Sequence, residues 1–325
     1  MKKINVVKSI DSKDTREIFI TCASFEERFL GIPKIIKSLN ADIIMFKYNE
    51  ENLYREKNIN SFKNIIKLNM NLSNFHTINL FHNKEFESII ELNRIINNII
   101  DINEIIDISI DLSTFTKVLL ISTLSYIRRF LKLNRIRFLY SSPKHYASPN
   151  EGSLSYGITD INLTPLCWGS FSPIKKNLLI TILGFEENRA LSIIENFSAD
   201  LNWVYISSPG TNSEWDKFCE QYNKKLINKY PIKNKISAID INEVSEKISS
   251  DLNQEIINKY NVYIAPLGTK PQIIGLILIS ESINYLSFNF LTTSVINHNI
   301  PYYSWGIGDT FEYIYSFSNL QKNII

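Results

Sequence analysis

The sequence predicts an α/β protein made of two tandem Rossmann-like domains, each with a mostly parallel sheet flanked by helices. The chain has 325 residues, which is about twice the length of a typical domain. Short apolar, β-prone runs alternate with segments of helical periodicity, as in parallel sheets with crossover helices. Three short motifs also occur twice in the same order. We therefore expect domains at residues 1–168 and 169–325, related by pseudo-two-fold symmetry.

The elements of the first half follow one another regularly. Strands are predicted at 17–23, 42–48, 77–80, 105–110 and 136–140, where apolar and β-branched residues are concentrated. Helices are predicted where apolar residues recur at helical spacing, at 29–39, 85–100 and 118–130. Short strands are expected near 158–163, after an irregular stretch marked by Pro and Gly. This alternation is typical of Rossmann-like units.

The second half repeats the pattern, with predicted strands at 178–183 and 261–266. Three motifs have counterparts in the two halves: residues 24–28 and 184–189, residues 112–117 and 267–270, and residues 155–160 and 304–309. Because the pairs keep their order and similar spacings, we interpret the chain as one fold duplicated internally, and not as a solenoid of short repeats.

Composition and charge restrict the classes of function. A formal net charge of +2 provides no broad field to attract nucleic acid or an anionic membrane. Cys22, Cys167 and Cys219 are too scattered for a disulfide framework or a zinc site, and the four histidines lack metal-ligand spacing. No signal peptide or membrane-spanning apolar stretch is recognisable. We expect a cytoplasmic protein without a metal, a cofactor or a membrane partner.

The first pair of motifs lies where a strand gives way to a helix, the position at which parallel sheets bind ligands. Ser24 and Glu27 have the spacing of a capping box, which is one interpretation. The other is ligand contact, because an aromatic residue and two acids recur at 185–187. Two carboxylates repel phosphate, so such contact implies recognition of a hydroxyl or an amine, for example on a ribose or a base edge.

The second pair suits an anion better. Gly268 allows close backbone approach, Thr269 supplies a hydroxyl, and Lys270 brings a positive charge to a helix start, which the helix dipole disfavours unless an anion is present. The alternative is a solvated lysine beside an ordinary glycine turn. In the first copy Asp111 precedes the turn and Lys117 comes later, so that copy either binds differently or is structural.

Other residues leave two interpretations open. Tyr156 and Trp305, each beside a glycine, can stack on a base, although packing against the sheet is the favoured interpretation. His145 is either a catalytic residue or a structural one. Glu26 and Glu186, if brought together, can act as a paired acid and base.

The strand followed by Gly268, Thr269, Lys270 and an apolar helix resembles the nucleotide-sensing CARF domains, and the tandem single-chain form resembles SAVED domains. The resemblance implies that two facing turns hold a cyclic oligonucleotide. The ligand-binding residues that it implies are Gly268, Thr269, Lys270, Ser113, Thr114 and Lys117, with Glu26, Arg28, Glu186 and Arg189 on the facing turns.

The leading hypothesis from the sequence is therefore a bacterial nucleotide-binding sensor or regulator of antiviral defence, which binds a phosphate-bearing ligand between its halves. Its expected partners are a nucleotide or cyclic oligonucleotide and an effector protein encoded nearby. One alternative is an enzyme that hydrolyses or transfers a nucleotide or nucleic-acid substrate. The other is a scaffold that binds no ligand and acts through a partner protein.

Overall fold

The computed structural model describes residues 1–12, 15–69, 74–81, 84–101, 103–146, 155–167, 169, 171–282, 288–298 and 304–317. The strands are β1 (Lys2–Ile4), β2 (Arg16–Cys22), β3 (Asp42–Tyr48), β4 (Phe75–Leu80), β5 (Ile105–Asp111), β6 (Lys132–Tyr146), β7 (Ser155–Leu163), β8 (Lys176–Leu183), β9 (Leu201–Ser207), β10 (Ile232–Ile236), β11 (Tyr260–Pro266), β12 (Asn289–His298) and β13 (Ser304–Ser316). The helices are α1 (Gly31–Ile35), α2 (Leu53–Asn69), α3 (Glu85–Ile99), α4 (Lys117–Phe130), α5 (Glu187–Phe197), α6 (Ser213–Tyr222), α7 (Lys224–Lys229), α8 (Ile241–Asp251), α9 (Gln254–Lys259) and α10 (Lys270–Ser282), and a 3-10 helix at Glu27–Leu30 precedes α1.

The chain forms two compact units that do not follow a single cut in the sequence. The first unit combines Met1–His145 with Ser304–Ile325, and the second comprises Tyr146–Tyr303. The expected division between 168 and 169 thus differs from the division in the structure. Residues 146–168 belong to the second unit, and residues 304–325 belong to the first. None of the helices in the described part of the chain has the length and apolar content needed to cross a membrane.

The first unit contains a seven-stranded sheet in the order β1-β13-β6-β5-β2-β3-β4. The neighbours from β6 to β4 are parallel, and β1 pairs antiparallel with β13. The second unit contains a six-stranded sheet in the order β10-β9-β8-β11-β12-β7. Its strands from β10 to β12 are parallel, and β7 is antiparallel to β12. The predicted α/β class with mostly parallel sheets is confirmed.

The two sheets share one strand order. Taken along the chain, the first five parallel strands of each unit lie in the spatial order 3-2-1-4-5, which is the order of Rossmann-like units. The strand at the sixth position of each sheet is not the next strand along the chain. β13 lies beside β6 in the first sheet, whereas β7 lies beside β12 in the second. Each sheet is therefore completed by a strand from the other half of the sequence.

Apolar side chains from the central strands and the helices form the core of each unit. In the first unit, Phe19, Ile43 and Met45 of the sheet belong to one buried cluster with helical residues such as Phe62. In the second, Leu179 and Val204 of the sheet are clustered with residues of α5 and α7. The central strands have few exposed residues because helices cover both faces of such a sheet, which explains their nearly continuous apolar sequences.

The helix predicted at 29–39 is wrong beyond residue 35. The structure has a 3-10 turn and one short α-helix, which ends at Ile35. The next apolar residues pair as isolated parallel bridges, Ile36 with Val7 and Leu39 with Ile10. Ile36 and Leu39 are buried as the periodicity required, but outside the helix, because the N-terminal segment supplies backbone hydrogen-bonding partners here.

Candidate functional site

In each sheet the recurrent turns follow the two strands at which the strand order reverses. In the first unit this switch point lies between β2 and β5, since β3 and β4 continue in one direction and β6 in the other. The turn at 24–28 follows β2 and the turn at 112–114 follows β5. In the second unit the turns at 184–189 and 267–270 follow β8 and β11 in the same way. The crevice outside a switch point is where open α/β sheets bind ligands.

The two turns of each unit lie close together. In the first unit the hydroxyl of Thr114 donates to the carbonyl of Cys22, the last residue of β2, at 2.5 Å. In the second unit a Cβ atom added to Gly184 would lie 2.3 Å from the carbonyl oxygen of Leu267. A side chain at position 184 would separate the turns, so close packing requires glycine there.

Glu26 and Arg28 form a buried, bidentate ion pair. Arg28 donates from Nε and Nη2 to the two carboxylate oxygens of Glu26, both at 2.9 Å, and the side chains of Arg28 and Glu26 are 2% and 8% exposed. The hydroxyl of Ser304 also donates to Glu26. The amide of Asn58 donates to the carbonyls of Ser24 and Phe25. Glu26 and Arg28 are both predicted site residues. In the structure they bind each other and support the turn at 24–28 from its buried side.

The capping box expected from Ser24 and Glu27 is not formed, so that interpretation is wrong. The Ser24 hydroxyl accepts from the amide of Glu26 at 3.2 Å, whereas the carboxylate of Glu27 accepts from the amide of Gly306 at 2.9 Å. The physical reason is that β13 brings its own donor to this turn. Glu27 satisfies the backbone of that strand instead of reaching back along its own helix.

The second unit contains a similar ion pair, in which the arginine makes one hydrogen bond to the glutamate and also binds a threonine. Arg189 donates from Nη1 to Glu186 at 2.8 Å, and from Nε and Nη2 to the side chain and carbonyl of Thr293 at 2.7 and 3.0 Å. The hydroxyl of Ser155 donates to Glu186. A serine of the third motif thus binds the glutamate of the first motif in both units, which gives a structural reason for the recurrence of both motifs.

Asp111 and Ser113 form a second buried group in the first unit. The amide and the hydroxyl of Ser113 donate to Asp111 Oδ1 at 3.0 and 2.5 Å, and the amide of Ser141 donates to the Ser113 hydroxyl at 2.8 Å. Burial raises the pKa of Asp111 to about 7, against the opposing effects of the Ser113 hydrogen bonds and the charge of Arg28. Among the described residues, Asp111 Oδ2 has no hydrogen-bond partner.

The turn of Gly268 and Thr269 is held by Gln272, a residue that the sequence reasoning missed. The amide of Thr269 donates to Gln272 Oε1 at 2.8 Å, and Gln272 Nε2 donates to the carbonyl of Ser237 at 3.0 Å. The Thr269 hydroxyl donates to the carbonyl of Ala238 at 2.5 Å. The spacing of Thr269 and Gln272, as in a capping box, was the signal that could have found this contact.

Both predicted lysines begin helices at the switch points. Lys117 is the first residue of α4 and Lys270 the first of α10, and both residues are partly exposed, as is Gly268. In contrast, Ser113 and Thr114 are buried. A ligand outside the strands can therefore reach the two lysines and Gly268 more directly than the two hydroxyl groups.

The aromatic residue of the third motif stacks on a histidine. The rings of Trp305 and His145 lie 5.4 Å apart at an interplanar angle of 26°, and Trp305 is 40% exposed. The His145 ring is thus in contact with an indole. The side chain of Tyr156 lies outside the described residues.

The described part of the chain contains no group of three or more His, Cys, Asp or Glu side chains arranged to hold a metal ion. No model of a protein family matches the sequence, and no curated protein sequence matches it.

Proposed function

We propose that the protein binds a phosphate-bearing nucleotide at the switch points of its sheets and acts as a sensor or regulator. The observation that carries this proposal is the coincidence of three features in each unit: the 3-2-1-4-5 strand order, recurrent turns after its first and fourth strands, and a lysine at the start of the helix that follows the fourth strand. The crevice at such a reversal is the general ligand site of open α/β sheets.

The electrostatics of the helix starts favour an anion. Lys117 and Lys270 are the first residues of helices of 14 and 13 residues. A helix start carries a partial positive charge and the lysine adds another, so the two together attract an anion. A phosphate group offsets both charges and accepts hydrogen bonds from the ammonium group. The second unit is the better candidate, because the first also contains the buried Asp111.

Ligand binding is favoured over acid–base catalysis by the state of the glutamates. Glu26 and Glu186, the candidate acid and base, are each paired with an arginine and accept a serine hydroxyl. Both carboxylates already accept these hydrogen bonds, so transfer of a proton to or from a substrate would first require the bonds to break. A role in antiviral defence, through a partner encoded nearby, is supported only by the resemblance to sensing domains.

The proposal is tested by titrating the full chain with AMP, GMP, CMP and UMP in a calorimeter. Replacing Lys270 by Ala is expected to weaken binding of the tightest nucleotide roughly ten- to hundred-fold, since a hydrogen bond to a charged group contributes about 1.5–3 kcal/mol. Lys117→Ala in the same titration reports whether the first unit also binds.

Lys176→Ala is the matched control, because Lys176 is exposed and begins β8, so it lies at the opposite end of a strand in the same sheet. This variant removes the same charge and should leave the affinity unchanged. Equal losses in Lys270→Ala and Lys176→Ala would indicate a general charge effect and would refute the site. Absence of binding by all four nucleotides would refute the proposed function.

A further inference from the structure

We infer that the second unit contains a site for the nucleobase, formed by an aromatic cluster that we define as Tyr146, Phe185, Trp215 and Tyr222. This inference rests on the proposed function and names the part of the ligand that the cluster recognises. The cluster combines the first residue of the second unit, the recurrent turn after β8, and residues near both ends of α6.

The four rings are linked by successive contacts. Tyr146 meets Phe185 and Trp215 edge to face, with centroids 5.0 Å apart in both pairs. Phe185 and Tyr222 are stacked at 5.7 Å. All four residues are partly exposed. In an edge-to-face contact one of the two rings uses only its edge, so that contact does not cover its faces.

The cluster lies beside the turn that we propose for phosphate. Phe185 directly follows Gly184, and a Cβ atom added to Gly184 would lie 2.3 Å from the carbonyl oxygen of Leu267 and 3.5 Å from the Cα atom of Gly268. Asn223 and Cys219, near the end of α6, donate to the carbonyl of Gly184. The aromatic cluster and the turn at 268–270 are therefore joined through one glycine.

The chemistry of this junction fits a nucleotide. A nucleobase is a flat ring that stacks on aromatic side chains whatever its hydrogen-bonding pattern, and its phosphate carries the charge that Lys270 offsets. We therefore assign base stacking to the second unit, with purines favoured by their larger ring.

The test compares AMP, adenosine and ribose 5-phosphate as ligands of the full chain, by calorimetry and by quenching of tryptophan fluorescence. AMP is expected to bind most tightly and to quench Trp215. Trp215→Leu should weaken AMP about tenfold, the loss typical for one stacking side chain, while ribose 5-phosphate binds as before. Trp215→Phe keeps a ring and should retain most of the affinity. Trp305→Leu, which removes an exposed indole from the other unit, should change nothing.

Failure of this inference and failure of the proposed function give different results. If ribose 5-phosphate binds as tightly as AMP and Trp215→Leu has no effect on AMP, the base site is refuted while the phosphate site stands. If adenosine binds, depends on Trp215 and is indifferent to Lys270→Ala while ribose 5-phosphate does not bind, the phosphate site fails and the base site stands. If none of the three binds, both are refuted.

Discussion

At the scale of single residues, the most informative feature is a charged pair with almost no access to water. Glu26 and Arg28 are bidentate partners, and Ser304 completes the group. Removing two charges from water is unfavourable, so a buried pair adds little stability relative to an apolar replacement, but the loss of one partner is costly. The pair therefore fixes the shape of the turn more than it stabilises the fold.

The burial of the Glu26–Arg28 pair predicts the stability of variants at Arg28. Arg28→Ala should lower the free energy of unfolding by about 3–5 kcal/mol, because it leaves Glu26 charged and buried. The double variant Glu26→Leu with Arg28→Met should lose less than the single variant, since no uncompensated charge remains. Urea denaturation of the full chain measures both values.

The equivalent arginine of the second unit provides the comparison. Arg189 and Glu186 are 14% and 9% exposed, so water has more access to this pair, and Arg189→Ala should cost less than Arg28→Ala. A double variant at 26 and 28 that is as unstable as Arg28→Ala would contradict the electrostatic explanation and indicate lost packing instead.

Asp111 predicts a pH dependence of stability. Its pKa is raised from 3.8 to about 7 by burial, so between these values the unfolded chain has lost this proton and the folded chain retains it. The folded state binds more protons, and its stability therefore falls as the pH rises through this window. Asp111→Asn mimics the protonated carboxyl and should remove this dependence, which amounts to about 4 kcal/mol at most.

The measurement is urea denaturation of the wild type and of Asp111→Asn at pH 5 and pH 8. The difference in unfolding free energy between the two proteins should shift in favour of the variant as the pH rises. Other groups contribute equally to both proteins, so they cancel in this difference. A difference that is the same at both pH values would show that Asp111 does not titrate in this range.

At the scale of elements, the periodic patterns predicted the parallel strands of the first unit, together with α3 and α4, because these elements are set by local burial. The prediction for β3 coincides with the strand, and those for α3 and α4 differ by one residue at one end. The segment at 36–39 was misassigned because its backbone partners come from Val7 and Ile10. The Ser304 contact was missed because it depends on a tertiary neighbour, which local periodicity does not encode. Gln272 was missed although its spacing from Thr269 is a local signal.

The start of β13 shapes the turn at 24–28 in the first unit. Gly306 has a φ of 72°, its amide donates to Glu27, and an added Cβ would lie 2.9 Å from that of Lys144. Gly306→Ala should therefore destabilise the protein by about 1–2 kcal/mol, the usual cost of left-handed backbone for a residue with a side chain.

Urea denaturation compares this variant with the wild type, and hydrogen exchange is followed at the backbone amide of residue 306, which donates to Glu27. Faster exchange there, together with the loss of stability, is expected when the contact with Glu27 is weakened. Unchanged stability and exchange would mean that the turn tolerates a side chain and that the glycine is not required by its backbone conformation.

At the scale of the whole molecule, the two units have one strand order but are not two consecutive pieces of sequence. β13 completes the first sheet and β7 completes the second. The internal repeats identified β7 and β13 as corresponding strands. They could not show which sheet each of the two joins, because β6 and β12, the strands beside which they lie, occupy the same position in their sheets. An edge left without its strand exposes unpaired backbone groups.

The presence of β13 in the first sheet and of β7 in the second predicts which pieces of the chain fold alone. The expected domain, residues 1–168, lacks β13 and contains β7 without its partner β12, so it should be unfolded or aggregated. A rearranged chain, in which 304–317 precede 1–145 through a short Gly/Ser linker, should fold as a monomer. The antiparallel pairing of β13 with β1, in which Lys2 lies opposite Glu312 and Ile4 opposite Thr310, favours this design because a short hairpin can join the two strands.

Circular dichroism and two-dimensional NMR distinguish the two chains. The rearranged chain restores Ser304, which donates to Glu26, and Gly306, which donates to Glu27. It should therefore show dispersed spectra and a cooperative unfolding transition. If 1–168 gave spectra and unfolding equal to those of the rearranged chain, β13 would be dispensable, and the Ser304 contact with Glu26 would not be required to form the turn.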